Sequence, residues 1–504
     1  MCAAAKERRF GVENNDPRFG VIDIGSNSIR LVVYQGPKRA PTPFFNEKVL
    51  CGLGRSLPAT GRLDPDGVAL ALQNLPRFAA LARGMAVANL HVVATAAMRE
   101  AEDAGDFAAV VNERCGVKMR ILDGDEEARL SAHGVIAGYP RAKGIIGDLG
   151  GGSLELVSLR RGRTRDHATL PLGSFRLNQA QRTGAHLEDF IAERLGALDW
   201  LDLANGSALH AVGGAWRALA RIHMSQSGYQ LRVIDRYRVS RSDMAGVARL
   251  IGGLGMESLS RLPGVPTRRL EALPAAAMMM EVLLTIAKPR EIMFSAQGLR
   301  EGVLFDALSA KEKKRHPLVS AAHSLARRIG RFDGLDKALL DWTEPLFGDE
   351  TRTQRRLREV ACIIGDIGWT DHPSYRAEHS FERGLRFAVS GIDHPGRAYL
   401  AMAVSSRYRG GYASERREFA GAIGLDHARI EAAVTLGLAI RLALSLSGGD
   451  QAILAASRLR LEKKKLVLEV EPVARVMLGE MIDRRLSDLA AQLERSWRIE
   501  NAGD

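Results

Sequence analysis

The stretch Asp148-Leu-Gly-Gly-Gly-Ser-Leu-Glu155 is the most informative part of this chain. The apolar segment 143–147 before it is typical of a buried strand. Successive glycines permit a tight turn in which backbone N–H groups converge and form a site for an anion. A glycine-rich hairpin that binds nothing is the alternative, because short glycine motifs are weak evidence by themselves. Glu155 favours a functional interpretation, since a carboxylate in a half-buried strand is costly unless it is used.

A second copy of this pattern lies near the N-terminus. Asp23-Ile-Gly-Ser-Asn-Ser28-Ile-Arg-Leu-Val follows the strand-like segment 19–22, and the two stretches align at a constant offset of 125 residues. Internal repeats indicate repeated structural units. We therefore predict two similar α/β subdomains whose glycine loops face each other across a cleft and hold one phosphate chain from both sides. The predicted phosphate-binding residues of the two loops are Gly25, Ser26, Asn27, Ser28, Gly150, Gly151, Gly152 and Ser153.

Length and composition restrict the class of protein. A chain of 504 residues predicts about two to four domains. No apolar run reaches the ~18 residues of a membrane span, and the N-terminus lacks the apolar core of a signal peptide. The 4 cysteines are scattered, which fits a reducing compartment and gives no metal-site spacing. We expect a cytoplasmic protein that contacts no membrane.

The charge balance indicates a polyanionic partner. The chain has 71 Lys and Arg against 59 Asp and Glu, a net charge of +12, and a basic excess favours polyanions. Neither zinc-finger spacing nor the aromatic signature of RNA-binding domains is present, so no nucleic acid is expected. Inorganic polyphosphate is also a polyanion, so the same basic excess would attract it.

Three further segments carry candidate residues. Arg99 follows the strand-like segment 91–93, where a guanidinium can bind two phosphate oxygens; a surface salt bridge explains the same pattern. Asp125-Glu126-Glu127 opens a predicted helix, and acidic residues are favoured in a first helical turn by capping alone. Gly213-Gly214 forms a third strand–turn–helix segment, which we place in the far wall of the cleft.

These motifs resemble the phosphate loops of the actin, sugar kinase and heat-shock chaperone ATPase superfamily. More narrowly, they resemble the exopolyphosphatase and guanosine pentaphosphate phosphohydrolase family, in order through about the first 310 residues. Arg99 matches an arginine of that family, and Glu127 matches the second glutamate of its acidic motif, the family's proposed base. Asp123 stands where the family usually has serine. Leu-Gly-Ser174 and Gly298-Leu-Arg-Glu-Gly-Val-Leu match further family segments.

The resemblance implies an α/β fold with two ribonuclease-H-like subdomains of the actin-like ATPase superfamily and a cleft between them. We place these at residues 1–133 and 134–310. Residues 311–504 are then expected to form an all-α C-terminal domain related to degenerate HD domains. In it, Gly365-Asp366 replaces the His-Asp pair of metal-dependent phosphohydrolases, so we expect no metal centre there. Its basic clusters are either solvated helix faces or parts of a polyanion channel; they are 327–328, 407–409, 416–417 and 463–465.

The resemblance also implies a mechanism. Glu127, Asp148 and Glu155 are the expected catalytic residues, with Mg²⁺ held by Asp148 and Glu155, and with Arg99 and Ser174 binding phosphate. Phosphoanhydride hydrolysis needs positioning, charge neutralisation and an oriented water, and we expect direct attack by water assisted by Glu127. Three hypotheses follow: a processive exopolyphosphatase, a guanosine pentaphosphate phosphohydrolase, and a regulatory phosphate- or nucleotide-binding module without turnover. The basic C-terminal part favours the first, and a homodimer is expected because the family often dimerises.

Overall fold

The computed structural model describes residues 16–502 except 183, 185, 263–266, 330, 333 and 409–413. The chain divides into two compact units. One comprises Arg18–Pro317 together with Ala388–His394. The other comprises, within the described residues, 16–17, Leu318–Phe387 and 395–502.

The first sheet has five strands in the order β3-β2-β1-β4-β5. They are β1 (Arg18–Ile24), β2 (Ser28–Gln35), β3 (Thr42–Leu50), β4 (Asn89–Ala94) and β5 (Met119–Ile121). Strands β1 to β3 are antiparallel, and β4 and β5 run parallel to β1. The helices of this part are α1 (Leu57–Thr60), α2 (Pro65–Gly84), α3 (Ala96–Glu100), α4 (Ala104–Cys115) and α5 (Gly124–Gly138). Asp64 caps α2 by accepting from Gly67 N, and Phe78 of α2 packs into the core beneath the sheet.

The second sheet has six strands in the order β10-β11-β9-β6-β7-β8. They are β6 (Gly144–Leu149), β7 (Leu154–Arg160), β8 (Arg163–Leu170), β9 (Ala208–Val212), β10 (Arg238–Ser240) and β11 (Glu291–Phe294). The accompanying helices are α6 (Ser174–Arg182), α7 (Leu187–Gly196), α8 (Gly214–Gln226), α9 (Arg241–Gly252), α10 (Met256–Ser260), α11 (Leu273–Ala287), α12 (Leu299–Asp306) and α13 (Ala310–Lys314), with 3-10 turns at Asp199–Ala204 and Thr267–Ala272. Trp216 of α8 is fully buried at the centre of this core.

The predicted repeat is present in the strand register. Ile24 pairs with Ile29 in the β1–β2 hairpin, and Leu149 pairs with Leu154 in the β6–β7 hairpin, at the same offset of 125 residues. Each turn is closed by one bond from its first glycine, Gly25 N to Ser28 O and Gly150 N to Ser153 O, both 3.0 Å. The prediction of two α/β halves with equivalent loops is confirmed.

Helices α5 and α12 form a layer between the two sheets. Leu130 and Val303 pack with residues of β1 and β2, whereas Val135 and Phe305 pack with residues of β6 and β7. The helices approach so closely that a Cβ on Gly302 would lie 1.7 Å from Leu130 O. Only glycine fits there, and the close approach brings the first turns of both helices to the same cleft. The predicted subdomain boundary at residues 133 and 134 falls within α5.

The second compact unit is mainly helical, as predicted. Its helices are α14 (Pro317–Ile329), α15 (Leu335–Thr343), α16 (Arg352–Ile364), α17 (Arg376–Leu385), α18 (His394–Ser406), α19 (Ser414–Ala422), α20 (His427–Ser447), α21 (Gln451–Ala455) and α22 (Glu480–Gln492), with 3-10 turns at Glu344–Leu346 and Pro472–Met477. Arg409 of the predicted basic cluster 407–409 lies outside the described residues.

A three-stranded sheet near the C-terminus corrects the prediction of an all-α domain. Its strands are β12 (Ser457–Leu461), β13 (Lys465–Val470) and β14 (Ser496–Asn501), in that order. Residues 458–461 alternate Arg and Leu, so Leu459 is buried while Arg458 and Arg460 pair with Glu469 across the hairpin. The basic cluster 463–465 is therefore the β12–β13 turn and the start of β13 rather than a helix face.

Two helical segments are long and apolar enough to span a membrane by composition. They are Leu270–Ala287 and His427–Ser447, and 61% and 72% of their windows are buried inside the protein. Charged residues interrupt both segments, so neither is an uninterrupted apolar run: they are Glu271 and Glu281 in the first, and Arg429, Glu431 and Arg441 in the second. The burial of the two segments is the usual state of a core helix.

Candidate active site

A cavity of about 210 Å³ lies where the two glycine loops meet. Every predicted site residue except Arg99 lines it. Gly213 and Gly214, predicted in the far wall, line it as well. The repeat, the acidic helix start and the third glycine turn therefore converge on one place, although they are far apart in the chain.

The first loop is held by the segment that follows β3. Ser26 O accepts from Gly54 N at 2.8 Å, and Asn27 O accepts from Cys51 N and Gly52 N at 3.1 and 3.0 Å. These bonds satisfy the loop's carbonyl groups and attach it to the segment that follows β3.

The second loop is held by the start of α6. Gly150 O accepts from Ser174 N at 3.1 Å, and Gly151 O accepts from Phe175 N at 2.9 Å. In the part of the chain that the structure describes, the N–H groups of Gly151 and Gly152 donate to no protein acceptor. Amide groups of this kind, in a turn whose carbonyl groups are already bonded, are suited to bind a phosphate oxygen.

Close approach, and not a left-handed backbone, explains the glycine at position 152. Gly25, Gly150, Gly151 and Gly152 all lack a positive φ. A Cβ on Gly152 would lie 2.8 Å from Ser26 Oγ of the opposite loop. The two loops are therefore close enough to contact the same phosphate group.

Glu127 lies in the first turn of α5 and is only 8% exposed. Burial raises the pKa of its carboxyl to about 7, Arg99 opposes this shift, and Asp148 and Asp23 add to it. The helix begins at Asp123, whose Oδ1 accepts from Glu126 N at 2.7 Å. Asp123 thus caps the helix as a serine would, so this departure from the family motif preserves the position of Glu127.

Asp148 and Glu155 lie opposite each other in the β6–β7 hairpin. Ser131 Oγ donates to Asp148 Oδ2, and Ser153 Oγ donates to Glu155 Oε1. Burial raises the pKa of both carboxyl groups, and the charges of Glu127 and Asp148 raise that of Glu155 further. Carboxylates that raise each other's pKa favour a bound cation.

The donor set fits Mg²⁺ held mostly by water and substrate. Within the described residues, no three His, Cys, Asp or Glu side chains are arranged as a ready-made metal site. Mg²⁺ commonly takes only one or two protein carboxylates and keeps several waters or phosphate oxygens. Asp148 and Glu155 are suited to supply those carboxylates.

Comparison with known proteins identifies the family. The model of the Ppx/GppA phosphatase family matches residues 31–311, and the model described as "Exopolyphosphatase, C-terminal" matches residues 318–497. This chain belongs to the Ppx/GppA phosphatase family. Exopolyphosphatase 1 of Mycobacterium tuberculosis is 28% identical over 331 residues, which cover 62% of this chain and 95% of that protein. Retrograde regulation protein 2 of Saccharomyces cerevisiae is 25% identical over 437 residues, 78% of this chain and 72% of that protein.

Solved structures agree with the fold of the first 300 or so residues. An exopolyphosphatase from Cytophaga hutchinsonii superposes with a TM-score of 0.53 at 22% identity, covering 58% of this chain and 99% of that one. The Aquifex aeolicus member of the Ppx/GppA family superposes with a TM-score of 0.50 at 24% identity, covering 57% and 97%. At these identities the comparison establishes the fold alone.

Arg99 occupies a different place from the other predicted phosphate ligands. It does not line the cavity; its Nη1 donates to Glu127 Oε2 at 2.8 Å and to Leu122 O at 3.0 Å. The Arg99 guanidinium therefore orients the Glu127 carboxyl group and favours its ionised form, without lining the cavity itself. Direct binding of phosphate by Arg99 stays a prediction.

Four basic residues line the same cavity and were not predicted as site residues: Arg30, Lys48, Arg217 and Arg300. Arg300 Nη1 donates to Asp23 Oδ2 at 2.9 Å and so joins α12 to β1. Arg300 lies in a segment that matched the family motif, and Arg217 follows the third glycine turn. Their motifs pointed to the cleft, but only the fold shows that their side chains reach it.

Proposed function

We propose that this protein is an exopolyphosphatase that releases orthophosphate processively from the end of inorganic polyphosphate. The observation that carries the proposal is the cavity in which two equivalent glycine loops meet the buried carboxylates of Glu127 and Glu155 and the half-buried carboxylate of Asp148. Its family membership supports a phosphoanhydride hydrolase, and the name of the mycobacterial relative supports polyphosphate as the substrate.

The proposed reaction is direct hydrolysis. The N–H groups of the two loops bind the terminal phosphate and place its phosphorus beside Glu127. The Glu127 carboxylate accepts a proton as a water oxygen bonds to that phosphorus, and the bond from phosphorus to the bridging oxygen breaks. The bridging oxygen keeps the electron pair and becomes the new end of the chain. Mg²⁺ at Asp148 and Glu155 would supply charge neutralisation for the phosphate oxygens.

The chemistry of the cavity wall supports polyphosphate over a nucleotide. Four cationic side chains line it, and none of its described lining residues is aromatic. These cations, which face four carboxylates in the same lining, suit a chain with a negative charge on every phosphate. A guanine ring would find no aromatic ring to stack on at this site.

The test is phosphate release from long polyphosphate, guanosine pentaphosphate and ATP, measured side by side with and without Mg²⁺. We expect the highest kcat/KM for long polyphosphate and loss of activity with a chelator. A preference for guanosine pentaphosphate would contradict the proposal and favour the second activity of the family. Tight binding of all three without turnover would instead support a regulatory module.

A further inference from the structure

The second compact unit contains a cavity of its own, of about 460 Å³. It lies at the C-terminal end of α16, where Gly365-Asp366 replaces the His-Asp pair. A volume of this size is within the range of small-molecule sites. It is formed by α14, α15, α16 and α20 together with the residues that follow α14 and α16, and neither the fold comparison nor the family motifs assign it a role.

The carboxylate in this cavity is already bound by protein donors. Asp366 Oδ2 is 2.9 Å from Arg331 Nη1, and Oδ1 is 2.5 Å from Arg407 Nη1. Tyr408 Oη also donates to Oδ1 at 2.8 Å. Two guanidinium groups therefore occupy the oxygens that a cation would need, and they bring more positive charge than Asp366 cancels.

The surplus charge extends to the mouth of the cavity. Arg327 and Arg331 line it, and Asp336 and Asp366 are its acidic lining residues. When Arg407 is included because it is bound to Asp366, the cavity has three arginines and two aspartates. Arg407 is only 9% exposed, so its charge is screened less than that of a surface arginine. The electrostatics of this cavity favour an anion.

Apart from His323, the remaining lining residues are mainly apolar. Leu335, Leu339 and Leu444 are the leucines among them and are called the leucine wall. The Arg331 guanidinium lies over the rings of Phe332 and Trp369, with its Cζ 4.7 and 5.4 Å from their centroids. A guanidinium held in this way keeps its hydrogen-bonding edge in a fixed position. The cavity thus combines a fixed anion-binding group with apolar lining residues.

We propose that this cavity binds a small aromatic phosphate ester of about the size of a nucleoside monophosphate. Arg331 and Arg327 would bind the phosphate, and the ring would lie against the leucine wall. This site is separate in sequence and chemistry from the catalytic cavity, which is lined by glycine loops and by no described aromatic residue. The proposal therefore does not depend on the reaction that the catalytic cavity performs.

The test is calorimetric titration of the full-length protein with AMP, in the presence of excess methylenediphosphonate to occupy the catalytic cavity. Trp369 fluorescence provides a second, local readout, and Trp369→Phe should abolish the change. We expect saturable binding of one AMP per chain. Adenosine and inorganic phosphate, titrated separately, should each bind more weakly than AMP.

Two variants locate the binding and one controls for general charge. Arg331→Gln should weaken AMP binding by at least about tenfold, the effect of losing a charge-assisted hydrogen bond. Ala326→Phe should fill the cavity from α14 and also abolish binding while leaving Arg331 in place. Arg261→Gln removes an exposed arginine from a surface ion pair and should change nothing. Absence of saturable binding, equal binding of adenosine, or AMP binding unchanged in Arg331→Gln and Ala326→Phe would overturn the proposal.

Discussion

Glu127 is the residue whose surroundings set its chemistry most clearly. Burial raises the pKa of its carboxyl to about 7 from an ordinary value of 4.5, and a base must be ionised to accept a proton. Activity should therefore be low where Glu127 is protonated and rise with pH through about 7. The acid limb of the kcat/KM profile measures this pKa in the free enzyme; a limb near pH 4.5 would contradict the assignment.

Arg99 should hold the acid limb of the kcat/KM profile at a lower pH than Glu127 would give without it. Its guanidinium favours the ionised form of Glu127, so Arg99→Gln should raise the pKa of Glu127 and move the acid limb to higher pH. Arg120 pairs with the neighbouring Glu126 at 3.1 Å and is the matched control. Arg120→Gln should leave the limb in place. A profile unchanged by Arg99→Gln would mean that Arg99 acts on the phosphate and not on Glu127.

Replacing Glu127 itself should separate catalysis from binding. Glu127→Gln retains the size of the side chain but cannot accept the proton, so turnover should fall by about 10²–10⁴-fold. Affinity for polyphosphate, measured directly, should be preserved. Glu126→Gln changes the adjacent carboxylate of the same helical turn and serves as the control. Near-normal turnover in a folded Glu127→Gln protein would assign the role of base to Glu155.

Among individual residues, the sequence predicted those whose position follows from a local motif. Asp148 was predicted from its place at the end of a strand before a glycine turn, and Glu127 from its match to the acidic motif of the family. Arg300 donates a hydrogen bond to Asp23, which lies 277 residues earlier in the chain. Ser131 of α5 donates a hydrogen bond to Asp148 of β6. Such partners depend on how α5 and α12 pack between the sheets, which no local pattern contains.

The elements that determine the site are the two hairpins, and the glycines of the second loop leave little room for a side chain. A Cβ on Gly151 would lie 3.3 Å from the Phe175 ring and 3.5 Å from Ser26 Cβ. Gly151→Val extends beyond Cβ and should displace the phosphate position, lowering phosphate and polyphosphate affinity by at least about tenfold, the loss of one charge-assisted bond.

The control for this prediction is Gly246→Val in α9, where no atom lies within 4 Å of the added Cβ. Circular dichroism and thermal melting of both variants establish that they fold. If Gly151→Val bound polyphosphate as tightly as the wild-type protein, the loop would be a turn and not a phosphate site.

Periodicity explains which elements were predictable. The offset of 125 residues predicted equivalent hairpins, because repeated residues at repeated spacing give the same register. The sheet β12-β13-β14 was missed because its strands are only 5 or 6 residues long in a part of the chain that is otherwise mainly helical. The alternation in residues 458–461 favours a strand, but so short a segment does not exclude the end of an amphipathic helix.

For the whole molecule, the basic clusters of the second unit, and not its near-zero net charge of 28 Lys and Arg against 26 Asp and Glu in residues 318–504, predict a role in holding long chains. A truncated chain ending at Pro317 keeps both sheets, along with the bonds from Lys313 to Asp306 O and from Arg39 to Arg315 O. It should still hydrolyse short substrates, and its affinity for long polyphosphate should fall. Fewer counterions would be released per chain bound, so the slope of log affinity against log salt should decrease, by analogy with nucleic acids.

The comparison is between full-length and truncated protein on long polyphosphate over a range of salt. Activity on a short substrate confirms that the truncated protein is folded. Equal slopes and equal affinities would show that the second unit does not hold the substrate, and would leave it a regulatory or dimerisation role.

The central claim is that water attacks the terminal phosphorus of polyphosphate in the cavity between the two loops. The most direct test is hydrolysis of long polyphosphate in oxygen-18-enriched water, followed by mass spectrometry of the orthophosphate and of the shortened chains. We predict one solvent oxygen in each released orthophosphate and none in the remaining chains, with formation of labelled orthophosphate reduced by about 10²–10⁴-fold in Glu127→Gln. Solvent oxygen in the shortened chains, or unlabelled orthophosphate, would contradict the account.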